Sequence, residues 1–185
     1  ILHKEYHEKN FSKKGGEMQM VQLWVNLPAK DKMTEPKYQN IENKVLAKVD
    51  LGNGIGSIDI IAGEIEKHKG PASSFTPMSL FNVKLNKGKG TSLSFNENHN
   101  TGLLIIKGNV IINNKERAPT NHFVLFENKG KEITIKAEDD AEILVLSGEP
   151  IDEPIASYGP FVMNTNDEIK QTIDDFNSGK FGYLD

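Results

Sequence analysis

The sequence predicts an all-β protein, an antiparallel β-barrel followed by one C-terminal helix, on three observations. Strand signals recur at short, even spacing from about residue 42 to 150, each built of β-branched and aromatic residues bounded by Gly, Asn or Pro. No helical repeat interrupts them, so neighbouring strands have to pair antiparallel rather than through crossover helices. A single amphipathic segment stands at the end, opened by Thr165-x-x-Glu168 in the form of a capping box.

The elements follow in order. Met18 to Leu27 (MQMVQLWVNL) alternates and predicts a strand with Val21, Leu23, Val25 and Leu27 on one face and Met20, Gln22, Trp24 and Asn26 on the other, ended by Pro28. Ala29 to Gln39 is polar and contains Pro36, so it reads as an irregular connection. Val45 to Leu51 and Ile55 to Ile65 form a hairpin through Asn53-Gly54, a dipeptide that tolerates positive φ. After a loop at Pro71 to Pro77 come strand candidates at Ser79 to Leu85, Ser92 to Phe95, Leu103 to Lys107 and Val110 to Ile112. A turn at Asn113-Asn114 leads to three more at His122 to Phe126, Glu132 to Ala137 and Glu142 to Leu146. In the closing helix Ile169, Ile173 and Phe176 make one apolar stripe, and Gly179 supplies the stop.

At 185 residues the chain holds one full domain and an appendage. The net charge of −4 is spread over interleaved Lys and Asp/Glu, which leaves no basic patch for direct nucleic-acid binding. The absence of cysteine removes disulfides, zinc–thiolate sites and a thiol nucleophile. No apolar run is long enough to span a membrane, and Ile1 to Gly16 is too charged for the apolar part of a signal peptide, so the expected location is cytoplasmic. The sequence opens at Ile1, without Met, directly on a patterned segment, which reads as the middle of something longer.

Gly52-x-Gly54-x-Gly56 lies between two strands and opens no helix, so these are turn glycines rather than a dinucleotide fingerprint. Asp139-Asp140 and Asp174-Asp175 read as solvated carboxylates, and His68, His99 and His122 as exposed or structurally hydrogen-bonded imidazoles. His3 and Glu5 differ. At i, i+2 on an extended chain their side chains share a face, so an imidazole nitrogen and a carboxylate oxygen can converge on one ion.

Leu144 to Gly182 (LVLSGEPIDEPIASYGPFVMNTNDEIKQTIDDFNSGKFG) resembles the terminal signature of the pirin family: an apolar strand, Gly-Glu-Pro, Glu-Pro, Gly-Pro-Phe-Val-Met-Asn-Thr, a helix and Gly-Lys-Phe-Gly. Gln22-Leu-Trp-Val-Asn-Leu-Pro28 with Glu35-Pro-x-Tyr-Gln39 resembles a second pirin landmark, and Ile1-x-His3-x-Glu5 a third, with Lys at position 4 where the family has Ser. The resemblance implies a bicupin, two stacked β-barrels, of which this chain would hold the C-terminal cupin barrel over 41–185. Residues 1–40 would be a remnant of the N-terminal barrel and linker. It also implies an iron-type site of three histidines and a glutamate in the N-terminal barrel. His3 and Glu5 match its last two metal ligands, Glu5 also being the candidate catalytic carboxylate. The His-x-His pair that would supply the other two is not in the sequence, and the second barrel offers only His99 in their place.

The expectation is therefore a truncated pirin-like chain with an incomplete iron site that binds metal weakly or not at all. It would be a non-catalytic remnant or a regulatory binding protein. The alternative is a metal-dependent dioxygenase of the quercetin 2,3-dioxygenase type, completed by further N-terminal sequence or by another chain. A third, metal-independent possibility is a small-molecule binder using the cavity of the second barrel. A strand over Met18 to Leu27 without its barrel neighbours would leave an apolar face and open edges, which predicts a homo-oligomer through residues 18–27.

Overall fold

A computed structural model describes residues 2–183. The chain divides into two compact units, Tyr38–Pro150 and a second made of Ile1–Lys37 with Ile151–Asp185.

The central unit is built from β1 (Ala47–Asp50), β2 (Gly56–Ala62), β3 (Glu64–Ile65), β4 (His68–Lys69), β5 (Met78–Leu85), β6 (Gly90–Ser94), β7 (Asn100–Lys107), β8 (Val110–Ile112), β9 (Glu116–Ala118), β10 (Phe123–Leu125), β11 (Glu132–Ala137) and β12 (Ala141–Gly148). A six-stranded sheet runs β1-β2-β5-β12-β7-β10 and a four-stranded sheet runs β6-β11-β8-β9, with every strand pair antiparallel. The predicted strands of this unit are present, β8 and β11 at their predicted ends and the others with shifted ones, and the predicted closed or nearly closed antiparallel barrel takes the form of two facing sheets that do not join. The hydrogen-bond ladders stop at β1 and β10 in one sheet and at β6 and β9 in the other, leaving a two-sheet antiparallel sandwich. The chain changes sheet at the tight turn after β5, where the Lys89 amide bonds the Asn86 carbonyl. The short strands β6, β8, β9 and β11 then pair only among themselves.

Alternation decides what is buried. Ile58, Ile60, Phe81, Val83, Leu103, Ile105, Ile143 and Val145 from the large sheet form one cluster with Leu93, Val110, Ile112, Ile133 and Ile135 from the small one. Complete burial of such a side chain contributes about 1.5–3 kcal/mol, and this row is the main source of the unit's stability. A buried hydroxyl pair, Thr101 Oγ1 and Ser147 Oγ at 2.9 Å, joins β7 to β12 inside it. Both predicted asparagine turns are present, with Asn53 and Gly54 at φ 48° and 63°, and Asn113 and Asn114 at 50° and 56°. Positive φ at both central residues matches the right-handed twist of the flanking strands. Gly56 is required for a different reason: a Cβ there would run into the Lys84 carbonyl of the adjacent strand.

In the other unit, α1 (Lys9–Lys14), a 3-10 turn at Ala29–Asp31, a hairpin of β13 (Ala156–Tyr158) and β14 (Phe161–Met163), and α2 (Asn166–Asn177) follow one another. Two expectations are corrected here. The strand predicted over Met18 to Leu27 does not form: the alternation is present, but among the described residues no strand lies beside it to accept its ladder bonds. The C-terminal helix is joined by a second, α1, too short to carry an apolar repeat and started by Glu8, whose side chain accepts from the Phe11 amide. The Asn10 and Phe11 backbone amides hold the Glu8 carboxyl below its ordinary value.

The C-terminal helix matches its sequence signals. Thr165 Oγ1 accepts from the Glu168 amide at 3.2 Å while Glu168 Oε2 accepts from the Thr165 amide at 2.7 Å. Gly179 follows the last turn at φ 78°. Ile169 is buried, and Phe176 meets Phe161 edge to face, which docks the helix on the β13–β14 hairpin. Among the described residues no helix is long and apolar enough to cross a membrane.

Candidate metal centre

His3 and Glu5 lie on an irregular stretch before α1, and the i, i+2 spacing brings them together. His3 Nε2 is 3.7 Å from Glu5 Oε1, with side chains 63% and 57% exposed. Gln22 Nε2 donates to the same Glu5 oxygen at 3.2 Å, so the segment carrying Gln22 is tied to this corner across 17 positions. Trp24, two residues on, is exposed. Sequence reasoning passed over His7, which packs edge-on against Phe11 with ring centroids 6.0 Å apart.

Two ligands in adjacent positions around a divalent ion at about 2.1 Å sit roughly 3–3.4 Å apart, so His3 and Glu5 need only a small closing motion to share one ion. The donor set stops there. Among the described residues no group of three or more His, Cys, Asp and Glu side chains is arranged to hold a metal. The pair therefore fits half of a three-histidine, one-carboxylate site and does not fit a whole one.

The other histidines lie in the central unit. His122 is exposed with Nδ1 3.2 Å from the Thr120 carbonyl, while His68 is half-buried and its Nδ1 has no partner among the described residues. His99 lines a hollow at one end of the sandwich together with Phe95, Thr101, Phe126 and Ile133. This hollow measures about 50 Å³, against the roughly 300 Å³ or more of ordinary small-molecule pockets, and so is too small for a flavonoid-sized ligand. Asp140 is exposed and Asp139 half-exposed, as expected of solvated carboxylates, and both also close turns: Asp140 accepts from the Lys87 amide and Asp139 from the Asn109 side chain, each at 2.8 Å.

The antiparallel two-sheet sandwich is that of a cupin, and the comparisons narrow it further. The pirin C-terminal cupin domain family matches residues 80–182. A Pseudomonas aeruginosa protein provisionally named as a quercetin 2,3-dioxygenase is 39% identical over 181 residues, covering 98% of this chain and 63% of the relative. Human pirin is 32% identical over 167 residues, covering 88% of this chain and 57% of pirin. Among solved structures, a quercetin 2,3-dioxygenase from Acinetobacter baumannii superposes with a TM-score of 0.84 at 41% identity, over 88% of this chain and 56% of the other. The chain belongs to the pirin family. It spans less than two thirds of the length of each of these three relatives.

Proposed function

We propose that this chain contributes two ligands, His3 and Glu5, to a divalent-metal site of pirin type, and that residues 1–185 alone do not carry out dioxygenase chemistry. The observation that carries the reading is the donor set: an imidazole nitrogen and a carboxylate oxygen 3.7 Å apart, with no third His, Cys, Asp or Glu grouped with them among the described residues. An iron-type ion bound in a complete site would polarise substrate and dioxygen. What this chain supplies is one face of the ligand set, with Gln22 holding the carboxylate in place. Calorimetric titration with nickel(II) tests it. Weak binding that disappears in His3→Ala and in Glu5→Gln is expected, together with negligible oxygen uptake on quercetin.

A second reading has one observation in its favour: relatives carrying the quercetin 2,3-dioxygenase name extend well beyond the length matched here. On that reading two histidines from residues outside 1–185, or from another chain, complete the site and confer the activity. A tightly held stoichiometric metal, lost in His3→Ala, would favour it over the first.

A further inference from the structure

We infer that Glu153 is a positioning residue for the Glu5 corner: it clamps the chain at Ala29, the end of the segment that carries Gln22, and so makes the C-terminal signature part of that corner. Ala29 opens a 3-10 turn whose preceding residue, Pro28, provides no side-chain cap. The first amides of such a turn lack partners within it. Glu153 Oε2 accepts from the Ala29 amide at 2.7 Å, a cap delivered from 124 residues away.

The carboxylate is itself held in place. Asn164 Nδ2 donates to the same Glu153 oxygen and to the Pro154 carbonyl, both at 3.0 Å, while the Asn164 amide donates to Glu168 Oε2 at 2.9 Å. The clamp is thereby fixed to the N-terminus of α2. On its far side Pro28 is buried and Lys32 Nζ donates to Asn26 Oδ1 at 2.7 Å, so residues 26–32 close into one piece. Gln22 leads into that piece from the N-terminal side and reaches Glu5. Charge-assisted bonds to a carboxylate are about twice as strong as neutral ones, which suits a single residue holding a segment with few buried side chains. The inference stands on these hydrogen bonds and holds whether or not His3 and Glu5 take a metal.

Amide hydrogen exchange on the intact chain, read with the NMR signals of the Gln22 side-chain amide, tests it. In Glu153→Ala, protection at Ala29 is expected to fall at least about tenfold. The Gln22 amide signals should move toward those of a free side chain, with exchange in β5 and β12 unchanged. Glu153→Gln keeps an oxygen that accepts from both Ala29 and Asn164, and is expected to restore both readouts. Unchanged protection at Ala29 in the alanine variant would overturn the inference. So would an equal loss in β5 and β12, or a glutamine variant as impaired as alanine. Should Glu153→Ala fail to fold, Asn164→Ala removes only the amide that orients the carboxylate and is expected to give a smaller loss of the same selective kind; no loss at Ala29 there would count against it equally.

Discussion

The two units spend their residues differently. Nearly all the large buried side chains belong to the central sandwich, whereas the unit formed by the two chain ends buries only Pro28 and Ile169 among its described residues. The sandwich is held by area removed from water, which is non-directional and tolerant of small shifts. The terminal unit relies on a few directed bonds: Glu153 to Ala29, Glu168 to Thr165 and Gln22 to Glu5. A change in the first should cost stability in proportion to volume, and a change in the second should act locally through geometry.

The largest expected effect separates them directly. Phe81→Ala removes a side chain that is 2% exposed and is expected to cost about 3–5 kcal/mol. Trp24→Ala, at a residue 66% exposed, should stay within about 0.5 kcal/mol. Urea unfolding followed by far-UV circular dichroism reads both, and equal costs would break the comparison. Next, Ser147→Ala leaves the buried Thr101 hydroxyl with only the His99 carbonyl at 3.5 Å, and is expected to cost about 1–2 kcal/mol on the same assay. Thr165→Ala should then cost about 1 kcal/mol, seen as faster exchange confined to the first turn of α2; a loss spread through β12 would show that the helix is not locally governed.

The smallest effect is one of pH. Burial alone would raise the Glu168 carboxyl, but the Asn164 amide, the Thr165 hydroxyl and amide, and nearby Lys32 together hold it below its ordinary value. With the folded value below the unfolded one, near 4.3, its contribution is complete above that pH and lost as pH falls through the folded value. Helix content followed from pH 6 to pH 3 should decline at the low end, and Glu168→Gln should flatten that decline. An unchanged profile in the variant would place the acid sensitivity elsewhere.

Most of the sandwich was legible in the sequence because alternation and turn chemistry are local. β8 and β11 match their predicted ends, and Asn53-Gly54 and Asn113-Asn114 turn where expected. What escaped had a weak local signal. β9 is polar and buries only Ala118, while β4, β13 and β14 are two or three residues long. Met18 to Leu27 failed in the opposite sense, since alternation qualifies a segment for a strand but only a neighbour's carbonyls and amides make it one. At the candidate site, the pairing of His3 with Glu5 followed from i, i+2 spacing. The Gln22 contact and the Glu153 clamp could not be foreseen, because their partners are 17 and 124 positions away and no pattern within one segment encodes such a pairing.

The Glu153–Ala29 bond also sets a clock on the newborn chain. A ribosome adds roughly 5–20 residues per second, so the 124 positions between the two partners correspond to roughly 6–25 seconds of synthesis. The β1–β2 hairpin, whose partners lie within 13 positions of each other, can close in microseconds once it emerges. During translation the sandwich therefore gathers its early strands while the end of the Met18–Leu27 segment still waits for its cap. For that interval the uncharged stretch holding Met18, Met20, Val21, Leu23, Trp24 and Val25 has no anchor at Ala29, and since those side chains remain exposed in the folded chain, what the late cap adds is a fixed path for the backbone rather than cover for the side chains.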